Sequence, residues 1–341
     1  MGKTRFALIG AGTFGQVHAK AYSVHRDAEL AAVCDLDEAR ARRTASEWGA
    51  ERSHTDWREV ASDSTIDAVS VATPDFAHTE IAVAMAQAGK HILVEKPLAM
   101  TIEECEQMIE AARERGVKLM VDFHNRWNPA FSEAHRAIDE GKIGAPRFIY
   151  FRLSDTQAVP LRMLSWAEQS SPLWFLGTHC IDLTCWLTGE RPHRVYGCSR
   201  RGVLAKRGLQ AMDLFLGVLE FPGGAVASIE NSWLLPESSP SVFDLKCEIC
   251  GPEGNVRIDT SSHRATEITD KDGVHYVDIL GEASVHGQHV GFMIESVKHF
   301  VDCVVNDQEP LVPGEVGLEV TRIACALEQS AEKREPAVIE R

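Results

Sequence analysis

The sequence has no basic excess. Thirty-five Lys and Arg stand against 50 Asp and Glu, a net charge of −15, whereas a nucleic-acid partner needs a basic stripe to meet its phosphates. The acidity otherwise serves solubility and says little about a substrate. Long apolar runs are also lacking: none could span a bilayer, and from Lys3 the chain enters a short strand-like hexamer with no signal-peptide cleavage pattern, so the expected setting is cytoplasmic, without a membrane partner. Cysteines number nine, an odd count scattered singly, which suits free thiols in a reducing compartment better than a disulfide framework. Cys247 and Cys250 have C-x-x-C spacing, yet "FDLKCEICG" alternates like a strand, where positions three apart face opposite sides, and no second pair follows. Two strand cysteines are expected there, and no metal site anywhere. Repeats and low-complexity segments are absent too.

What is present reads as ordinary globular protein, 44% hydrophobic and 25% charged over 341 residues, a length for about two domains. From residue 5 to 123 short apolar runs, "RFALIG", "LAAVCD", "AVSVAT", "HILVEK" and "KLMVDF", lack polar alternation and predict strands buried on both faces. Between them "FGQVHAKAYSVH", "DEARARRTASEW", "HTEIAVAMAQAG" and "TIEECEQMIEAARERG" carry helical spacing, the last ending at Gly116. Such alternation predicts a doubly wound parallel sheet. After Pro129 one helical segment leads to "PRFIYFRLS", and from Arg194 strand follows strand with turns such as "FPGGA" and "GPEGN", the pattern of antiparallel hairpins with one open face. Helical patterns return at "GFMIESVKHFVDCVV" and "GEVGLEVTRIACALEQSAEK". The expected division is 1–123 and 124–341.

"ALIGAGTFGQVHA" places Gly10, Gly12 and Gly15, with Thr13 and Phe14 between them, directly after a strand and opening a helix. Glycines there allow a tight turn, approach of backbone to a pyrophosphate and close helix–strand packing, which predicts dinucleotide binding. About 20 residues on, Asp35 ends the second strand, where a carboxylate accepts both ribose hydroxyls and repels a 2′-phosphate. This favours NAD over NADP, unless Asp35 or Asp37 merely caps the next helix. Thr73 and Pro74 end a later strand where ligands lie in such sheets and so border the cofactor. His78, just beyond them, is either a cofactor neighbour or a first-turn helix residue. In "HILVEKPLAM" Glu95 and Lys96 are expected to point toward the cofactor, with Pro97 holding Lys96 extended. A partly desolvated lysine beside the positive nicotinamide becomes a proton acceptor for an alcohol, with Glu95 orienting it; the alternative is a structural ion pair.

"GAGTFG", "TPDFAH", "EKPLA", "FHNRWNP" and "GTHCIDLTCWL", in this order and across nearly the whole chain, resemble the glucose-fructose oxidoreductase, inositol dehydrogenase and rhizopine-catabolism (Gfo/Idh/MocA) family. The resemblance implies an α/β protein: an N-terminal Rossmann domain and a C-terminal α/β domain whose large open-faced antiparallel sheet joins subunits into a homo-oligomer, dimer or tetramer. It implies NAD(P)-dependent redox chemistry at a carbinol of a sugar, sugar derivative or cyclic polyol. It maps the family lysine to Lys96 and the histidine of a D-x-x-x-H-x-x-D segment to His179, with Asp182 following. The leading aspartate of that segment is Phe175 here, a departure that makes the pocket more apolar, as if for a deoxy or capped substrate. Asp182, three residues from His179 on one helix face, either orients the imidazole or pairs structurally.

Further candidates come from position. Asn125 and Arg126 follow a strand at the ligand edge and could bond cofactor ribose or substrate hydroxyls, while Trp127 could stack on a sugar face or pack between domains. The irregular stretch 155–177 is long enough to be functional, and Arg162, Trp166 and Trp174 are its candidates for substrate contacts. The expected function is an NAD-dependent dehydrogenase or ketoreductase in which Lys96 takes the hydroxyl proton and His179 holds the same hydroxyl. Two rivals stay open: a redox-neutral glycoside hydrolase or lyase using bound NAD, and a dinucleotide-responsive binding protein that has lost catalysis.

Overall fold

A computed structural model describes residues 2–261, 265–271 and 273–339. The chain forms two compact units, Met1–Asn128 with Leu280–Thr321, and Pro129–Ile279 with Arg322–Arg341. The expected division at residue 123 falls five residues before the first crossover, and residues 280–321 return to the first unit. Among the described residues no helix is long and apolar enough to cross a membrane.

The first unit is built on β1 (Thr4–Ile9), α1 (Thr13–Val24), β2 (Ala28–Cys34), α2 (Glu38–Trp48), β3 (Arg52–His54), α3 (Trp57–Ser62), β4 (Ala68–Val71), α4 (His78–Gln87), β5 (His91–Val94), α5 (Ile102–Arg115) and β6 (Leu119–Val121). The strands form one sheet in the order β3-β2-β1-β4-β5-β6, and every pairing is parallel. All five predicted strands are in it. The edge strand β3 and helix α3 are additions that the polar text "RSHTDWREVAS" does not announce. Local chemistry sets the ends. Asp37, Asp56 and Thr101 accept backbone N–H bonds as N-caps of α2, α3 and α5, and Gly116 closes α5 in the left-handed conformation.

The core on one side of this sheet is centred on Phe6, stacked at 4.6 Å on Tyr22 of α1 and edge-on at 6.2 Å to Phe300. Phe300 comes from far down the chain. Ile294, Val297, Phe300 and Val301 belong to the same buried cluster as Phe6 and Tyr22. The sheet's β6 edge is covered by residues 312–313: the Val121 N–H donates to the Val312 carbonyl at 3.0 Å, and Met120 bridges to Pro313, which removes an exposed edge.

The second unit contains α6 (Pro129–Asp139), β7 (Phe148–Thr156), α7 (Thr178–Thr188), β8 (Arg194–Arg200), β9 (Leu214–Glu220), β10 (Val226–Leu235), β11 (Phe243–Cys250) and β12 (Asn255–Asp259). Two small hairpins follow, β13 (Glu267–Asp270) with β14 (Gly273–Tyr276), and, back in the first unit, β15 (Ala283–Val285) with β16 (Gln288–Val290). Helices α8 (Phe292–Val305) and α9 (Gly314–Lys333) and the two-residue β17 (Ala337–Val338) complete the chain. The large sheet runs β12-β11-β7-β10-β9-β8-β17. It is mixed: β7 and β10 are parallel while every other neighbour is antiparallel. Ile149, Phe151, Phe215, Leu219, Ile229 and Ile249 bury one face; Phe148, Tyr196, Leu216, Val218 and Val226 leave the other open. Cys247 is buried and Cys250 half-buried, on opposite sides of β11 as alternation requires.

The end of α9 lies close on this sheet because two glycines face each other across β8 and β9, Gly197 and Gly217. A Cβ at Gly197 would lie 2.2 Å from the Leu327 carbonyl oxygen, and one at Gly217 would lie 3.0 Å from the Leu327 side chain. Gly197→Ala is therefore expected to push α9 off the sheet and destabilise by about 1–3 kcal/mol. Urea unfolding checks this; an unchanged midpoint would mean the helix does not need that approach.

Candidate functional site

The glycine loop follows β1 at the C-terminal edge of the parallel sheet. Gly10 sits at φ +93°, and a Cβ there would lie 2.4 Å from the Ala72 carbonyl oxygen; a Cβ at Gly15 would lie 2.0 Å from the Gly10 carbonyl oxygen. Both positions therefore require glycine for packing. Gly12 differs, since nothing lies within 4 Å of its Cβ direction, and as N-cap of α1 it leaves the first turn without a side-chain cap. Open space before uncapped helical N–H groups is where a pyrophosphate fits. Thr73, at the neighbouring strand end, carries a buried hydroxyl with no hydrogen-bond partner among the described residues.

Asp37, not Asp35, caps α2. The Asp35 carboxylate accepts from the Ala11 N–H at 2.8 Å and the Asp37 N–H at 2.9 Å, with the Arg40 guanidinium 3.2 Å away. It braces the glycine loop against β2, and with about four lone-pair sites it retains capacity for ribose hydroxyls. These residues fit a dinucleotide. His78 opens α4, the first-turn alternative of the two: its ring is buried and its nitrogens face the carbonyls of Thr73 at 3.0 Å and Pro97 at 2.9 Å. Both carbonyls can only accept, so the single N–H of a neutral ring donates to one of them while the ring packs between the strand end and the Lys96 turn.

Lys96 is 4% exposed, and its Nζ stands 5.8 Å from the centroid of the Phe14 ring. Glu95 corrects the expectation that both side chains point the same way. Its carboxylate turns inward, one oxygen 3.1 Å from His18 Nε2 and the other accepting the Lys96 backbone N–H at 3.2 Å. Asp122 lies 3.4 Å from the same Nε2, and His18 Nδ1 is 2.8 Å from the Ser70 hydroxyl, which also bonds Tyr22. Neighbouring carbons thus carry a lysine aimed one way and a carboxylate aimed the other, as extended backbone dictates.

Burial alone would lower the His18 pKa, but hydrogen bonds to Asp122 and Glu95 and their charges outweigh it and push it up to about 9. Burial would raise Glu95; the bond to His18, its charge and those of His124 and Lys96 hold the carboxyl below its usual range. His124, buried at the start of the "HNRW" turn, goes down because burial disfavours its charge. His18, Tyr22, Ser70, Asp122 and His124 were not singled out from sequence. Of the "FHNRWNP" residues, Asn125 is buried and Arg126 half-buried. Trp127 packs against the hydrophobic cluster and lies 5.1 Å from the His299 ring, so part of its surface serves packing.

In the second unit His179 and Asp182 both lie in α7 and are buried, at 6% and 1% exposure. The helix is entered by a wide π-type turn, Leu173–Gly177, which rotates Phe175 relative to its neighbours. Phe175 is half-buried while Trp174 and Leu176 are buried. Its ring lies 6.0 Å from Trp166 and 6.1 Å from Trp233. Trp174 corrects its assignment: its indole donates to Glu328 at 3.1 Å inside the fold. Arg162 pairs with Glu237, which Arg207 also holds at 2.9 Å, so its charge is already met. The stretch 155–177 is itself largely structured, with turns at Val159–Met163 and Ala167–Gln169 besides that at Leu173.

A six-stranded parallel sheet with a glycine-rich loop after its first strand, an aspartate after the second and a buried lysine after the fifth is the architecture of a Rossmann-type dinucleotide-dependent oxidoreductase. Residues 4–123 match the oxidoreductase family described as having an NAD-binding Rossmann fold, and residues 131–257 match the GFO/IDH/MocA C-terminal domain. The chain belongs to the Gfo/Idh/MocA family. It is 32% identical to scyllo-inositol 2-dehydrogenase (NAD(+)) of Bacillus subtilis over 315 residues, covering 91% of this chain and 89% of the relative. It is 34% identical to levoglucosan dehydrogenase of Pseudarthrobacter phenanthrenivorans over 65% of this chain and 66% of that one. The crystal structure of an oxidoreductase domain protein from Kribbella flavida superposes with a TM-score of 0.84 at 27% identity, over 100% of each chain.

The His18 cluster carries a pH signature. A pKa raised from 6.5 to about 9 in the folded state stabilises the protein fully below pH 6.5 and is lost as pH rises through 9, a difference on the order of 3 kcal/mol. Thermal melts from pH 7 to pH 10 are expected to fall more steeply for wild type than for His18→Gln. Parallel curves would mean His18 is neutral in the fold.

Proposed function

We propose that this protein oxidises a secondary hydroxyl of a cyclic polyol or sugar with NAD as acceptor. The observation that carries the reading is the buried Lys96 on the ligand edge, beside Phe14 of the glycine loop. Bound NAD supplies the acceptor for the hydride leaving the carbinol carbon. Lys96 Nζ takes the hydroxyl proton as that C–H bond breaks, so the amine becomes an ammonium and the alcohol a ketone. Asp35, Thr73, Pro74 and Asn125 are assigned to cofactor binding with the loop residues Gly10, Gly12, Thr13, Phe14 and Gly15. His179 is assigned to a substrate hydroxyl, with Asp182 orienting it and Arg126 as a further polar contact.

On the substrate side, Phe175 with Trp166 and Trp233 supports a ring that presents C–H to an aromatic surface. Relatives named for scyllo-inositol and for levoglucosan agree with carbocyclic or anhydro substrates. All nine cysteines are free thiols, which supports a reducing, cytoplasmic setting. The open sheet face with Tyr196, Leu216 and Val218 supports a homo-oligomer, dimer or tetramer.

NADH absorbance during incubation with NAD⁺, and separately NADP⁺, across inositols, aldoses, deoxy sugars and anhydro sugars tests the reading. A signal with NAD⁺ is expected, strongest for rings poor in hydroxyls on one face. Lys96→Ala should lower kcat by about 10²–10⁴-fold, the usual contribution of a general base, with NAD affinity kept. Activity retained in that variant removes Lys96 from the chemistry. For assembly, Leu216→Lys with Val218→Lys should shift sedimentation from oligomer to monomer; wild-type protein sedimenting as a monomer rejects the face as an interface.

A further inference from the structure

Nothing in the proton transfer itself calls for His18, yet it sits at the centre of a buried polar cluster of the first unit. Glu95, Asp122, Ser70 and Tyr22 surround it, and all five side chains are essentially shut off from solvent. Such a cluster needs every member satisfied, since a single unpaired carboxylate at this depth is costly. Its position in the chain gives it a second property. His18 lies on α1, five residues after Thr13, so the helix whose N-terminus faces the glycine loop also reaches Glu95. Glu95 in turn holds the Lys96 backbone N–H.

We propose that His18 is a positioning residue for Lys96: it latches the dinucleotide-binding helix, through the Glu95 carboxylate, to the turn that carries the lysine. The inference rests on the reading of Lys96 as proton acceptor. The path is continuous, from the α1 N-terminus to His18 Nε2, to Glu95 Oε1 and Oε2, to Lys96 N. Asp122, which follows β6, flanks the same Nε2 at 3.4 Å, and the Ser70 hydroxyl meets Nδ1 on the other side of the ring at 2.8 Å, which fixes the ring's orientation. Two hydrogen bonds to one carboxylate from two different elements leave it one orientation, and the lysine side chain then has a fixed origin. Phe14, on the same helix, supplies the ring beside the lysine's other end. A displacement of α1 therefore moves both ends of Lys96 together.

The groups facing His18 are Glu95 at the end of β5, Asp122 after β6, Ser70 of β4 and Tyr22 of α1, with the charges of Lys96 and His124 next to them. The same three side chains, His18, Glu95 and Asp122, could instead hold a divalent metal. The experiment separates these possibilities.

Wild type, Lys96→Ala, His18→Gln and Asp122→Asn are compared for NAD⁺ affinity by calorimetry, steady-state kinetics, pH–rate profile and metal content. For folded His18→Gln the expected result is a kcat 10-fold to 100-fold lower, substrate KM and NAD⁺ Kd within threefold of wild type, and an acid limb of kcat/KM moved to higher pH. That movement follows because the Lys96 turn loses a neighbouring cation and Glu95 loses the charge that holds its carboxyl low. A merely structural histidine would lower stability and leave kcat and the profile of the folded enzyme unchanged, which overturns the proposal. Stoichiometric metal in the wild type that disappears in His18→Gln also overturns it, in favour of a metal centre. If His18→Gln does not fold, Asp122→Asn carries the test, with a smaller loss of kcat expected and a wild-type kcat decisive against the latch. Full activity in Lys96→Ala sinks the underlying reading; an inactive Lys96→Ala beside a wild-type-like His18→Gln sinks only the latch.

Discussion

The depth at which α1 sits on the parallel sheet governs the first unit. It is set by an approach that leaves no room for a side chain, with the Gly15 Cβ direction ending 2.0 Å from the Gly10 carbonyl oxygen. At this depth Tyr22 stacks on Phe6, Phe14 comes beside Lys96, and His18 reaches two carboxylates that end other strands. It also leaves the helix N-terminus facing open space at Gly12. The open space at Gly12, the placing of Phe14 beside Lys96 and the buried ion cluster are consequences of one helix held close, and a methyl group at Gly15 would disturb all three.

Inside that frame adjacent residues do opposite jobs. Glu95 and Lys96 read together as an ion pair at a strand end, yet extended backbone sends one into the protein and the other toward the ligand edge. The buried carboxylate is tolerable because an imidazolium and a backbone N–H meet it. His78 lies on the other side, its buried ring between the Thr73 and Pro97 carbonyls and donating to one of them. The lysine turn is thus held by buried polar contacts on both sides, which suits a group that must present one atom accurately.

The glycine turn, the parallel strands and the place of Lys96 just past a strand end were legible in the sequence because their signals are local: spacing within six residues, or an apolar run with an abrupt polar end. The Glu95 partners were not. His18 reads as one polar position in a helical pattern, Ser70 as a small strand residue in "AVSVAT", and Asp122 as a strand terminus; only the sheet brings positions 18, 70, 95 and 122 together. Strand alternation alone could have turned Glu95 inward. The partners of Trp174 and Arg162 were hidden for a related reason, since a tryptophan or arginine in a loop gives no sign that Glu328 or Glu237 waits for it. The π-type turn before α7 is equally silent, because an extra residue in a turn leaves the hydrophobic pattern nearly unchanged.

The return of α8 to the first unit bears on how the protein is made. Ile294, Val297, Phe300 and Val301 are part of the core that Phe6 and Tyr22 begin, and each buried side chain of this kind contributes about 1.5–3 kcal/mol. On the ribosome, the dinucleotide-binding half emerges first but lacks this layer until almost the whole chain has been synthesised. During that interval the Phe6 and Tyr22 side of the sheet faces solvent as an apolar surface, the kind of surface that holdase chaperones recognise.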